Sequence, residues 1–179
     1  MFYSDKENTK GLFICYTGDG KGKTTAALGS LLRAYGRGLK VIMLQFIKRK
    51  GSEFGEHLAA KDLGVEIIPL GDGFTWKSEC QEKDRALALE CWQVCKDKII
   101  NSDYDMVILD EITYPLTFNW LDVDEVIHVI SERPKWMHVI VTGRNARKEI
   151  IEAADMVTEM MEVKHHYRKS IPQQPGIEC

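Results

Sequence analysis

The densest chemical content of the chain lies in Cys15-Tyr16-Thr17-Gly18-Asp19-Gly20-Lys21-Gly22-Lys23-Thr24-Thr25. Glycine at every second position from Gly18 to Gly22 lets successive backbone N–H groups converge on one anion. An apolar run, Leu12 to Tyr16, leads into the loop, and Ala26-Ala27-Leu28 opens a helix after it, so the helix N-terminus adds partial positive charge. Lys23 has the reach for a terminal phosphate oxygen, and the Thr24 hydroxyl is placed to ligate a magnesium ion. The stretch is a polyphosphate cradle whose candidate binding residues are Gly18, Asp19, Gly20, Lys21, Gly22, Lys23, Thr24 and Thr25. Its front half departs from the usual G-x-x-x-x-G-K-[ST] spacing, because Thr17 stands where that pattern has glycine. Asp19 beside a polyphosphate must face solvent or be offset by Lys21.

A second chemical element is the pair Asp110 and Glu111, which ends the apolar run Met106-Val107-Ile108-Leu109. A solvated strand end explains one acid more readily than two. Beside a phosphate loop, a carboxylate in this place holds Mg²⁺ directly or through water, so Thr24, Asp110 and Glu111 form the candidate metal set. Arg144, in a turn just past another apolar run, is either a bidentate phosphate partner or an ordinary turn residue. Arg33, ten positions beyond Lys23 on the same helix, reads by itself as a solvated side chain. Phe74 and Trp76 sit in a glycine-bearing loop where polar residues are usual. They fold back as a satellite core, or they offer a flat apolar face to a flat ligand such as a base or a tetrapyrrole-like ring. His165 and His166 are adjacent, point opposite ways if extended, and so read as surface histidines rather than joint metal ligands.

Alternating strands and helices must position these groups. Strands are expected at Leu12–Tyr16, Lys40–Phe46, Val65–Pro69, Met106–Glu111, His138–Thr142 and Met156–Val163, with the third near an edge. Helices are expected at Thr25–Tyr35, Glu53–Leu63, a long one opened by a Ser78/Gln81 capping box, one capped by Asp122 and Glu125, and Ala146–Ala153. In the long helix Leu87, Cys91, Val94, Cys95 and Ile99 share the expected buried face. This order implies an α/β fold, a parallel sheet with helices on both faces. Ligands of such sheets lie outside the carboxyl ends of the strands, where the unusual residues repeatedly fall.

The length, 179 residues, suits a single domain (1–179), with residues 1–10 expected as a flexible segment and 164–179 as an irregular tail. Lys plus Arg total 24 against 27 acids, a net charge of -3 that gives no electrostatic reason for a nucleic-acid or anionic-membrane partner. No segment reads as a membrane span or signal peptide, so a cytoplasmic protein is expected. The five cysteines contain no C-x-x-C pair, and Cys91 and Cys95 are assigned to core packing rather than metal.

The chain resembles the phosphate-loop type of ATP:corrinoid adenosyltransferase over nearly its whole length. The matching pieces are Thr17 to Ala27, Gln45-Phe46-Ile47-Lys48, Gly73-Phe74-Thr75-Trp76, Leu109-Asp110-Glu111-Ile112-Thr113-Tyr114, Val141-Thr142-Gly143-Arg144 and Val163-Lys164-His165. Gly-Phe-Thr-Trp discriminates best, because general nucleotide binding does not call for it. The resemblance implies a P-loop NTPase-like (RecA-like) sheet and transfer of the 5'-deoxyadenosyl group of ATP to the Co(I) centre of a corrinoid, with triphosphate leaving. It implies ATP bound in reversed orientation, the triphosphate on Lys23, Thr24 and Thr25, and Mg²⁺ on Thr24 and Glu111 with Asp110. Lys23, Thr24 and Glu111 would carry the catalysis, Arg33 and Arg144 would assist the nucleotide, and Phe74 and Trp76 would lie against the corrin. Members are usually homodimeric and cytosolic, and an electron-donor protein such as a flavoprotein is a further implied partner. The competing readings are a phosphate-loop kinase or ATPase, and a nucleotide-gated corrinoid carrier without chemistry.

Overall fold

Apolar runs rich in Val and Ile pair into one sheet in the computed structural model, which describes residues 9–73 and 81–177. The elements run β1 (Phe13–Thr17), α1 (Lys23–Gly36), β2 (Val41–Arg49), α2 (Gly55–Leu63), β3 (Glu66–Gly71), α3 (Gln81–Ile100), β4 (Met106–Asp110), α4 (Thr113–Thr117), α5 (Val123–Ser131), β5 (His138–Thr142), α6 (Lys148–Ala153) and β6 (Met156–Glu159). The sheet has six strands in the order β3-β2-β4-β5-β1-β6. Every pairing is parallel. The expected parallel sheet is present, and β3 does lie at an edge.

Because strand side chains alternate, each central strand feeds two cores. Phe13, Cys15, Leu44, Val107, Leu109, Val139 and Val141 pack on one side with α3 and α5. Ile14, Met43, Ile108 and Ile140 pack on the other against Ala27, Leu31 and Ala34 of α1. Small residues at two of those three α1 positions let the helix lie close to the sheet. Burying Leu31 contributes about 2 kcal/mol. Leu109 pairs with Val141, Tyr16 with Thr142 and Gln45 with Asp110, so the last row on the α1 face is Tyr16, Thr142, Asp110 and Gln45. The register alone aims a polar row at the N-terminus of α1.

Several expectations need correction. The buried face of α3 is Asp84, Ala88, Cys91, Trp92, Cys95 and Ile99, while Val94 is exposed. The apolar stripe is rotated because Trp92, the largest side chain available, takes the centre. Cys91 donates to the Leu70 carbonyl at 3.3 Å, and burial pushes its thiol up to about 11, as suits a core cysteine. Asp122 caps α5 by accepting from the Asp124 and Glu125 amides, but Glu125 turns away to Lys96 at 2.7 Å, so only half of a capping box forms. β6 ends at Glu159, short of Val163, because the chain turns there to back the phosphate loop. A single 3-10 turn, His166–Lys169, interrupts the tail. The His165 and His166 rings stack at 4.8 Å rather than pointing apart, since His165 is drawn in to accept the Tyr167 amide. The Ser78 cap and most of residues 1–10 lie outside the described residues, and Lys10 pairs with Asp155 at 2.6 Å.

His138 ties the base of β5 to β1 by accepting the Leu12 amide on Nδ1 at 3.0 Å. Burial first, and then the Arg133 guanidinium, hold its pKa below the ordinary 6.5, so the folded state keeps the ring neutral. The unfolded chain then binds more protons at mildly acid pH. His138 therefore stabilises the fold above about pH 6.5, and that contribution is lost as pH falls toward the folded-state value. Melting temperature should decline more steeply on acidification in the native chain than in His138→Gln, and parallel profiles would contradict this.

Candidate nucleotide site

The phosphate loop turns on two left-handed glycines, Gly18 at φ 97° and Gly22 at φ 109°. Lys23 opens α1 and is only 6% exposed. Its Nζ donates to the Gly18 and Gly20 carbonyls, each at 2.8 Å, which curls the loop around the ammonium. Burial lowers the Lys23 pKa, Arg144 and Lys21 add to that, and Glu111 and Asp19 oppose it. The loop also has a backing. Gly20 donates its amide to the Met160 carbonyl at 2.6 Å, and Met160 donates to the Thr17 carbonyl at 2.8 Å. A Cβ on Gly18 would stand 2.5 Å from the Met160 oxygen, so the closeness itself demands glycine.

Thr17 explains its own departure from the usual loop. Its buried hydroxyl accepts the Ala146 amide at 3.1 Å and fastens the start of the loop to the turn that follows β5. That turn carries Arg144. Asp19 and Lys21 are both exposed at the loop's rim, as the electrostatics require of an acid in this place.

Asp110 is 2% exposed, and both of its oxygens are held. Oδ1 accepts from Thr24 Oγ1 at 2.9 Å and from Thr142 Oγ1 at 2.7 Å, while Oδ2 accepts from Gln45 Nε2 at 3.1 Å. Burial raises its pKa, and the three donors together with Lys48 work against that rise. The Thr142 hydroxyl spends its proton on Asp110 and accepts the Glu111 amide at 2.9 Å, so it joins the two acids. Glu111 lies in the left-handed region at φ 62°, a costly conformation for a residue with a Cβ. This twist turns it out of the strand's alternation into the charge field of Lys23 and Arg144, which oppose the pKa rise caused by burial and by Asp110.

Gly143 is the tightest point of the site. It has φ 138°, and a Cβ there would stand 2.0 Å from Thr113 Oγ1 and 3.0 Å from Glu111 Oε2. Thr113 Oγ1 donates to the Arg144 carbonyl at 2.7 Å, so Arg144 is placed through its backbone while its side chain stays exposed.

The structure thus gathers Gly18, Gly20, Gly22, Lys23, Thr24, Asp110, Glu111 and Arg144 at one sheet edge, with Asp19, Lys21 and Thr25 exposed beside them. It does not bring Arg33 there. That residue is exposed in the last turn of α1, ten residues or about 15 Å along the helix from Lys23. Phe74 and Trp76 lie outside the described residues. Gly73, which precedes them, lines a cleft with Phe46, Leu87, Tyr114 and Trp120. Sequence reading missed Met160, whose backbone role leaves no residue-type signal, and His57, whose partner Gln45 lies on another element. Helix α4 was also missed, because Pro115 lies inside it and only one turn of chain is involved.

Comparison with known proteins gives both the fold and the family. The structure of the flagellar accessory protein FlaH from Methanocaldococcus jannaschii superposes with a TM-score of 0.57 at 13% identity, covering 84% of this chain and 71% of that one, which shows a shared fold. The corrinoid adenosyltransferase of Escherichia coli (strain K12) is 41% identical over 172 residues, 96% of this chain and 87% of that protein. That of a Sinorhizobium species is 40% identical over 97% of this chain and 82% of its own length. Corrinoid adenosyltransferase CobA of Salmonella typhimurium is 39% identical over 96% and 87%. The model of the family described as ATP:corrinoid adenosyltransferase BtuR/CobO/CobP matches residues 9–179. With the glycine loop, the paired acids and the Gly-Phe-Thr-Trp segment all inside that span, the chain belongs to the ATP:corrinoid adenosyltransferase family.

Proposed function

We propose that the chain transfers the 5'-deoxyadenosyl group of ATP to the Co(I) centre of a corrinoid and releases triphosphate. The observation that carries this reading is the family match across residues 9–179, which takes in a sequence, Gly73-Phe74-Thr75-Trp76, that phosphoryl transfer has no use for. Co(I) is itself a strong nucleophile, so attack on the ribose carbon needs no general base. The chain's own task is alignment and stabilisation of the charge that grows on the departing triphosphate. Lys23, the loop amides other than that of Gly20, and the first amides of α1 take that role, with Thr25 and Arg144 at the rim.

Thr24 and Asp110 suit Mg²⁺. They offer a hydroxyl and a carboxylate already 2.9 Å apart, both hard oxygen donors, with Glu111 next in the chain. When bound, the ion supplies positive charge against the triphosphate. Phe74 and Trp76 would lie against the corrin and keep its lower axial ligand away. The cleft beside Gly73 carries the rings of Tyr114 and Trp120, 5.7 Å apart, and so offers apolar surface next to the phosphate loop's end of the sheet. A homodimer, a cytoplasmic location and a flavoprotein-like electron donor complete the reading; no described helix is long and apolar enough to cross a membrane.

Incubation with ATP, Mg²⁺ and chemically reduced cobalamin tests the proposal. Triphosphate and the absorption change of a new cobalt–carbon bond are expected. Release of ADP would establish a kinase or ATPase instead, and corrinoid binding without spectral change would establish a carrier. Phe74→Ala with Trp76→Ala should slow reaction from Co(II) more than from prereduced Co(I), because removing the axial donor eases reduction. Equal losses from both starting states would contradict the role given to that loop.

A further inference from the structure

Asp110 is not held by the strand ends alone. A chain of donors reaches it from α2, a helix outside the phosphate loop, and every link has a fixed direction. The Phe54 amide donates to His57 Nδ1 at 3.1 Å. A backbone N–H can only donate, so Nδ1 is bare and the proton of the neutral ring sits on Nε2. His57 Nε2 stands 2.7 Å from Gln45 Oε1 and therefore donates to it. Gln45, fully buried, must then turn its NH₂ toward Asp110 Oδ2 at 3.1 Å. Its other near acceptor, Glu56 Oε1 at 3.5 Å, agrees with that orientation, since carboxylates accept.

The helix start explains why a histidine can do this. In an ordinary capping box a Glu or Gln at the third helical position accepts the amide of the capping residue. Here His57 fills that position, satisfies the Phe54 amide with one ring nitrogen and keeps the second for Gln45. Lys48 steadies the same corner by pairing with Glu56 at 2.6 Å while lying over the Phe54 ring at 3.5 Å from its centre.

We propose that His57 and Gln45 are positioning residues for the magnesium site: the one-way chain Phe54 N–H, His57, Gln45 holds Asp110 so that Oδ1 stays with Thr24 and faces the metal position. The proposal rests on the assignment of Mg²⁺ to Thr24 and Asp110. Without His57 the Gln45 amide is free to flip its oxygen toward Asp110, which would leave a buried carboxylate oxygen against a second acceptor.

Three measurements test this. In the wild-type protein, side-chain nitrogen NMR of the neutral His57 ring should show Nε2 protonated and Nδ1 bare; the opposite tautomer overturns the proposal without any variant. Calorimetry of ATP binding across a Mg²⁺ titration should show the apparent Mg²⁺ affinity about tenfold weaker in His57→Leu and roughly 10- to 100-fold weaker in Gln45→Leu, the range for groups that orient a metal ligand. His57→Gln, whose amide can accept from Phe54 and donate to Gln45, should restore most of the affinity. Equal losses in His57→Leu and His57→Gln would mean that α2 has merely loosened, and would overturn the positioning role. If wild-type binding of ATP does not depend on Mg²⁺ at all, the metal assignment falls and this inference falls with it. A wild-type dependence unchanged in His57→Leu sinks this inference alone.

Discussion

Lys23→Met should lower turnover roughly 30- to 1000-fold, or about 2 to 4 kcal/mol of transition-state stabilisation, comparable to losing one preorganised oxyanion donor. Methionine nearly matches the lysine stem in volume, so the buried position keeps its packing and loses its charge. The structure adds a second consequence. Lys23 also holds the Gly18 and Gly20 carbonyls, so the variant should lose a modest part of its stability, on the order of 1 to 3 kcal/mol for two charge-assisted bonds. Steady-state kinetics with saturating corrinoid and a thermal melt separate the two effects. Near-normal turnover would remove Lys23 from the chemistry, whatever the melt showed.

Gly143→Ala should be at least as damaging, although the added group is one methyl. The new Cβ would stand 2.0 Å from Thr113 Oγ1, and the backbone at φ 138° is itself one that side-chain-bearing residues avoid. Relief requires Thr113 to swing away. That swing would release the Arg144 carbonyl, and the new Cβ would still stand 3.0 Å from Glu111 Oε2. We expect destabilisation on the order of 3 kcal/mol, at the upper end for backbone strain, and turnover down by about 100-fold or more. Combining it with Thr113→Ala, which removes the clashing hydroxyl, should recover part of the stability but not the activity, because the Arg144 carbonyl stays unanchored. Full recovery of activity in the double variant would show that Thr113 has no positioning role.

Much of this site was legible in the residues. Gly18 to Thr25 announced a strand, a turn and a helix N-terminus, because the glycine spacing and the two apolar flanks are local signals. Asp110 and Glu111 stood out as acids at the end of an apolar run. What the sequence could not give was direction. That Glu111 leaves the strand alternation depends on its own left-handed backbone, which a glutamate does not announce. The role of Thr17 required knowing that Ala146 arrives beside it from 129 residues away. Val94 was placed on the wrong face of α3 because periodicity gives a stripe but not its rotation, and Trp92 decided the rotation through its volume. Arg33 shares a helix with Lys23, yet rise per residue carries it away from the loop. His57 carried no sequence signal at all, since its partner Gln45 is on another element and the link is a single hydrogen bond.

The placement of β5 between β1 and β4 bears on how the protein is made. Thr24 and Asp110 are 86 positions apart, and the strand that spaces their parent strands is contributed by residues 138–142. A nascent chain on the ribosome therefore possesses both halves of the grip long before it has the wedge that sets their parent strands, β1 and β4, roughly 10 Å, two strand spacings, from one another. Affinity for nucleotide should arise abruptly, late in synthesis, once Thr142 is clear of the exit tunnel, and truncated products ending before it should be unable to retain ATP.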